Sequence, residues 1–194
     1  MIGDTGATVE GSADVPPASF QFHVSNSRQG GCLLVRPASV ADLSAIRLLA
    51  GASPTAAHWS APQYDQLFNA SGPRRVILVV ENSLIENRLG NPVTSKDDPI
   101  SGFAVARALE HEWEIENIVV AAAERRRGLA SQLLDELLTA ARKSGATSVF
   151  LEVRESNDQA RALYEKLLFV ESGRRVRYYR EPIEDAVIYR RAFE

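Results

Sequence analysis

The chain has 194 residues, 45% hydrophobic and 24% charged, with 22 Lys and Arg against 25 Asp and Glu for a formal net charge of -3. That is the mix of a globular chain able to bury a core without staples, and its charge argues against a dedicated polyanion binder. The single cysteine, Cys32, leaves no internal disulfide or Cys-rich metal site, and His23, His58 and His111 lack metal-ligand spacing. No apolar run nears the roughly 20 residues of a membrane helix, and the start of the chain lacks a signal-peptide pattern, so the expected compartment is the cytoplasm.

Residues 1–31, punctuated by Gly3, Gly6, Gly11, Pro16, Pro17, Gly30 and Gly31, read as a loosely ordered extension, with the folded domain over 32–194. Residues 32–36 read as a strand stopped by Pro37. Ser39 with Asp42 opens a helix in which Val40, Leu43, Ile46, Leu49 and Ala50 recur at helical spacing, and a second helix follows Ser60-Ala61-Pro62. Residues 76–80, 100–106 and 113–120 read as strands of an antiparallel meander, the polar 82–99 stretch between the first two being a long, mobile loop. Leu129, Leu133, Leu134, Leu137, Leu138 and Ala141 form one helical stripe, ended at Lys143-Ser144-Gly145. Val149, Leu151 and Val153 alternate as a strand. Ser156-Asn157-Asp158-Gln159 matches a capping box before a helix with Ala160, Leu163, Tyr164 and Leu167. Two last strands, 176–180 and 186–193, flank a turn at Glu181-Pro182. The order β-α-α-β-β-β-α-β-α-β-β makes an α+β fold, helices on a mostly antiparallel sheet.

Chemistry concentrates at residues 118–130, Ile-Val-Val-Ala-Ala-Ala-Glu-Arg-Arg-Arg-Gly-Leu-Ala. A strand ends, a basic turn follows and a long helix begins. Three arginines at a helix N-terminus oppose the macrodipole, an arrangement that makes sense if a phosphate or pyrophosphate sits there on free backbone N–H groups. A solvated arginine turn is the plain alternative. Neither Gly-x-Gly-x-x-Gly nor Gly-x-x-x-x-Gly-Lys-[Ser/Thr] occurs, which argues against the two familiar nucleotide loops.

Arg125-x-x-Gly128-x-Ala130 resembles the [Arg/Gln]-x-x-Gly-x-[Gly/Ala] signature of the GNAT (Gcn5-related) N-acetyltransferases. The segment from Leu151 to Asn157, then Ala162 to Phe169, then Tyr178-Tyr179 and Glu184 to Ile188, is similar to the RimI subgroup, which acetylates the N-terminal alanine of a ribosomal protein. The resemblance covers about Leu33 to Phe193 and is strong from Asn117 onward. It implies a GNAT-like α/β/α sandwich of six to seven strands and about four helices. It also implies acetyl-CoA as acetyl donor, a protein N-terminus (possibly ribosomal) as partner, and no metal. Residue by residue, it implies that Ile118, Val119 and Val120 offer backbone groups to the acetyl-pantetheine arm where the strand splays. Arg126, Arg127, Gly128, Leu129, Ala130 and Ser131 would form the pyrophosphate turn, with Arg125 at its edge and Asn157 bonding the cofactor. Glu152 would be the general base and Tyr164 the general acid. Leu168 departs from the pattern, standing where the family usually has glycine, so a different turn is expected there.

The chemistry asks for such groups: a base for the amine, a donor for the oxyanion and a proton for the thiolate. With Cys32 the only thiol, far from these motifs in sequence, direct transfer in a ternary complex is favoured over an acyl-cysteine route. Baring an α-amine at pH 7 costs ~1.4 kcal/mol against ~4.6 for lysine, which favours an α-amine. Glu116 competes with Glu152 as base, Asn157 doubles as a helix cap, and Tyr164 reads equally as a core residue. Two alternatives stay open: a small amine or lysine as acceptor, and an RNA- or ribosome-binding module using Arg174, Arg175, Arg177 and Arg180 with Tyr178 and Tyr179.

Overall fold

The computed structural model describes residues 24–26, 32–54, 56–57, 59–83 and 100–194. Among the described residues eight strands form one sheet in the order β1-β2-β3-β4-β5-β6-β8-β7. They are β1 Val24–Asn26, β2 Cys32–Pro37, β3 Arg75–Ser83, β4 Ile100–Leu109, β5 Glu112–Val120, β6 Ser148–Arg154, β7 Val170–Arg180 and β8 Ile183–Ala192. All neighbours pair antiparallel except β5 and β6. The helices are α1 Leu43–Gly51, α2 Ala61–Asp65, α3 Leu129–Lys143 and α4 Asp158–Lys166. The expected α+β class holds, with seven longer strands and one three-residue edge strand. Of the expected extension, only Val24–Asn26 lies among the described residues, and it pairs with β2. Most of the 82–99 loop lies outside them; Asn82 and Ser83 continue β3.

The sheet is buried on both faces in its middle, which is why β3 and β4 are nearly continuous apolar runs. Leu78, Val80, Ala104 and Ala106 face one way and pack with Leu133, Leu134, Leu137 and Ala141 of α3. Ile77, Val79, Phe103 and Val105 face the other way, onto Ile46 and Ala50 of α1 and Tyr64 of α2. Every member of the predicted α3 stripe is buried. After Lys143 the helix closes by bonds from Gly145 N to Arg142 O and from Ala146 N to Ala141 O, a Schellman pair.

Caps fix the other helix starts. Ser39 and Asp42 form a capping box, but over a single 3₁₀ turn that precedes α1, which leaves Val40 exposed instead of on the buried stripe. Ser60 and Gln63 form a second box at α2. At α4 the cap is Asn157, whose side chain accepts from Ala160 N at 3.2 Å, so the helix begins one residue later than a Ser156 box requires. β7 starts at Val170, well before residue 176, and is irregular between Arg175 and Tyr179, where Arg177 takes a φ of 53°. The Arg177 N–H donates there to Asp185 Oδ1 at 2.7 Å.

Candidate active site

β5 and β6 run parallel and pair from Glu112 with Ser148 only as far as Ile115 with Leu151. Beyond that point β5 follows β4 and β6 follows β8, and the two strands part. The cause is local. On β4, Val105 faces Asn117 and Ala106 faces Ile115, so Glu116 is an extra residue in β5, and such a bulge bends its strand. The β6-facing backbone groups of β5 beyond Ile115 are left without a ladder partner. A cleft of about 1110 Å³ opens there.

One end of the cleft is the turn into α3. Glu124 ends a 3₁₀ turn, Arg125 is extended, Arg126 has a φ of 61° and Gly128 a φ of 85°. No atom lies within 4 Å of a Cβ built on Gly128, so its backbone conformation, not crowding, calls for glycine. Left-handed residues in such a turn curl successive N–H groups to one side, an anion-binding nest. The 15-residue helix then presents the unsatisfied N–H groups of its first turn, at Leu129, Ala130 and Ser131, with no side-chain cap at Gly128. Ile118, Val120, Arg125, Arg126, Gly128, Leu129, Ala130, Ser131 and Asn157 all line this cleft.

The side chains of Val119 and Arg127 do not. Val119 turns to the opposite face, with the α1–α2 core, and Arg127 pairs with Glu124. Arg125 turns inward, its Nε donating to Val120 O and its Nη2 to Ser53 Oγ, both at 3.3 Å. Among the described residues Arg126 has no ion-pair partner, which leaves its charge available at the cleft.

Glu152 and Tyr164 also line the cleft. Tyr164 projects from α4 between Phe169 and Tyr189, ring centroids 6.0 and 6.1 Å away, and its burial pushes the phenol well above its ordinary value. Glu152 is held by Arg175 of β7, Nε to Oε1 at 2.9 Å. Glu116, the competing base, also reaches the cleft but is gripped on both oxygens by Arg75, at 2.6 and 3.1 Å, with Arg107 at 3.5 Å. Asn157 has both of its anticipated positions: its oxygen caps α4 while the residue lines the cleft.

Several lining residues had no signal in the sequence. Ala56, Ala57, Trp59 and Gln63 come from the α1–α2 side, and Glu114 precedes the bulge. Tyr178 and Tyr179 were visible as a motif, and they too line the cleft. Burial, partly opposed by Arg154, pushes the Tyr179 phenol up to about 12, and the Arg154 guanidinium lies 4.0 Å over its ring. This weakens the RNA alternative: Arg174 is paired with Glu155 and Glu171, Arg175 with Glu152, and Tyr179 already stacks on Arg154. Among the described residues no helix is long and apolar enough to cross a membrane.

Residues 54–169, more than half of the chain, match the Acetyltransferase (GNAT) family. The chain belongs to the GNAT family. The bS18-alanine N-acetyltransferase of Salmonella typhimurium is 39% identical over 94 residues, 47% of this chain and 64% of that relative. The N-alpha-acetyltransferase RimI of Mycobacterium tuberculosis is 42% identical over 87 residues, 45% of this chain and 53% of that relative. These matches thus span between half and two thirds of the relatives' length. A crystal structure of the ribosomal-protein-S18-alanine N-acetyltransferase from Escherichia coli superposes with a TM-score of 0.65 and 27% identity, covering 81% of this chain and 92% of that one. The GNAT match takes in β3 to β6 and α2 to α4, the elements that build most of the cleft.

Proposed function

We propose that this GNAT protein is an acetyl-CoA-dependent N-acetyltransferase acting on the α-amine of a protein N-terminus, by direct transfer in a ternary complex. The observation that carries this reading is the joining, in one cleft, of a parted strand pair, an anion-binding turn, an acid and a buried phenol. The residues fit the donor. Unpaired strand edges suit an amide-rich pantetheine arm, and the curled N–H groups before α3, with Arg126 beside them, suit its diphosphate.

Bound acetyl-CoA supplies an acetyl group already activated as a thioester. The chain's own groups handle the protons. Glu152 takes one from the acceptor ammonium, directly or through a water, before the bared nitrogen attacks. The N–C bond then forms, the C–S bond breaks, and the second proton shed by the nitrogen replaces the one that Tyr164 gives up. Tyr164, kept protonated by its burial, gives one to the departing sulfur. A β5 backbone N–H beyond the bulge polarises the carbonyl. Glu116 is less suited to the first task because two guanidinium groups already engage it.

The α-amine acceptor rests on the lower cost of baring such an amine and on the relatives that are named as alanine N-acetyltransferases. Isothermal titration tests the donor: CoA binds the wild type and binds Arg126→Glu or Gly128→Glu at least tenfold more weakly, about 1.4 kcal/mol. A wild type that ignores CoA defeats the reading. Turnover of an Ala-initiated peptide against a panel of small amines and a lysine peptide tests the acceptor.

A further inference from the structure

The connection between α1 and α2 is fastened to the donor side of the cleft at two points. Ser53 is buried, and its hydroxyl receives Arg125 Nη2 at 3.3 Å while Nε of the same guanidinium holds the Val120 carbonyl. Farther on, the Ala57 N–H donates to Asn117 Oδ1 at 3.3 Å. Asn117 follows the bulge directly, and Arg125 opens the turn before α3. Ala56, Ala57 and Trp59, carried by this connection, line the cleft. The first arginine of the turn therefore reaches another part of the protein with two of its nitrogens. A planar guanidinium does this where an ammonium does not, because its donors point along two fixed directions at once.

We propose that Arg125 and Ser53 couple donor binding to the acceptor wall, with Ser53 as a positioning residue. A diphosphate seated on the turn fixes the backbone that carries Arg125. The fixed guanidinium holds Ser53, and Ser53 holds Ala56, Ala57 and Trp59 in place to meet the acceptor. Such a coupling is reciprocal, so an acceptor that orders this wall also tightens the hold on the donor. The proposal rests on the donor reading above and is independent of which amine is acetylated.

Hydrogen exchange on the full chain, with and without CoA, tests it. In the wild type and in Ser53→Thr, which keeps the hydroxyl, CoA slows exchange at Ser53, Ala56 and Ala57 about fivefold or more, together with Leu129, Ala130 and Ser131. In Ser53→Ala the response at Ala56 and Ala57 is lost while that at Leu129 to Ser131 persists, and the acceptor KM rises with little change in kcat. The proposal is overturned if the wild-type connection ignores CoA while the turn responds, or if Ser53→Ala responds in full. A wild type without response at either place overturns the donor reading along with it. Full coupling without turnover of any Ala-initiated peptide upholds this proposal and removes only the α-amine reading.

Discussion

Arg175 of β7 reaches over β8 to Glu152 of β6, its Nε 2.9 Å from the carboxylate. The acid proposed to receive the amine proton is thereby tied to the outermost hairpin of the sheet, which also brings Tyr178 and Tyr179 to the cleft. Glu116 is tied to Arg75 and Arg107, on strands of the sheet's interior. One carboxylate belongs to the outer rim of the sheet by its partner, the other to the framework.

Glu152→Gln and Glu116→Gln therefore separate. Glu152→Gln lowers kcat by about 10²- to 10⁴-fold, the range of a lost general base, and leaves CoA affinity unchanged. Glu116→Gln lowers the melting temperature, because Arg75 loses its partner in a partly buried setting, and keeps most of the rate. Steady-state kinetics with thermal melts decides; equal losses of kcat in both variants refute the assignment.

Tyr164→Phe keeps the ring that packs on Phe169 and Tyr189, so the fold survives. The loss appears in kcat, on the order of 10²-fold. Burial holds the wild-type phenol above its ordinary value of about 10. It stays protonated below pH 10, so the kcat profiles of wild type and variant run parallel from pH 6 to 9.5. An alkaline limb in that range that vanishes in the variant contradicts this.

Asp42 gives the acid side of stability. Burial opposes its charge, yet Arg36 and the Ser39 N–H together hold the carboxyl below its ordinary value. A depressed folded value means a contribution that is present above the unfolded value of about 3.9 and lost as pH falls through the folded one. Urea melts from pH 6 to 3 show wild-type stability dropping toward the acid end and Asp42→Asn, weaker at pH 6, dropping less. Parallel curves refute it.

Leu168 takes a φ of 63° and is well exposed. Leu168 thus stands in the left-handed conformation that a glycine adopts more readily. Phe169 N still bonds Tyr164 O at 3.0 Å. Leu168→Gly removes about 1–2 kcal/mol of left-handed strain, offset in part by the freedom glycine has when unfolded. A net gain of about 0.5 kcal/mol in denaturant melts is expected, and any loss counts against it.

What the sequence showed was local. The α3 stripe, the basic turn and the alternation of β6 were readable because each is a period or a dipole written in neighbouring residues. Glu152, Tyr164 and Asn157 came from resemblance, and the fold does bring them to one cleft. The bulge at Glu116 and the parting of β5 from β6 were not derivable from residue patterns, since register depends on two strands at once. The inward turn of Arg125 was hidden for the same reason: Ser53 lies 72 positions earlier. The Ser156 box failed because Asn157, itself a strong cap, competes for the same helix end.

The irregular outer strand has one more effect. Among the described residues β7 pairs on one side only, and a long open border of that kind invites neighbouring molecules to add strands of their own. Here the Arg177 kink draws an N–H back to Asp185, and arginines at 174, 175, 177 and 180 stud the border with charge. A strand added there would meet a border bent between Arg175 and Tyr179 and charged by Arg177 and Arg180, two features that blunt such pairing.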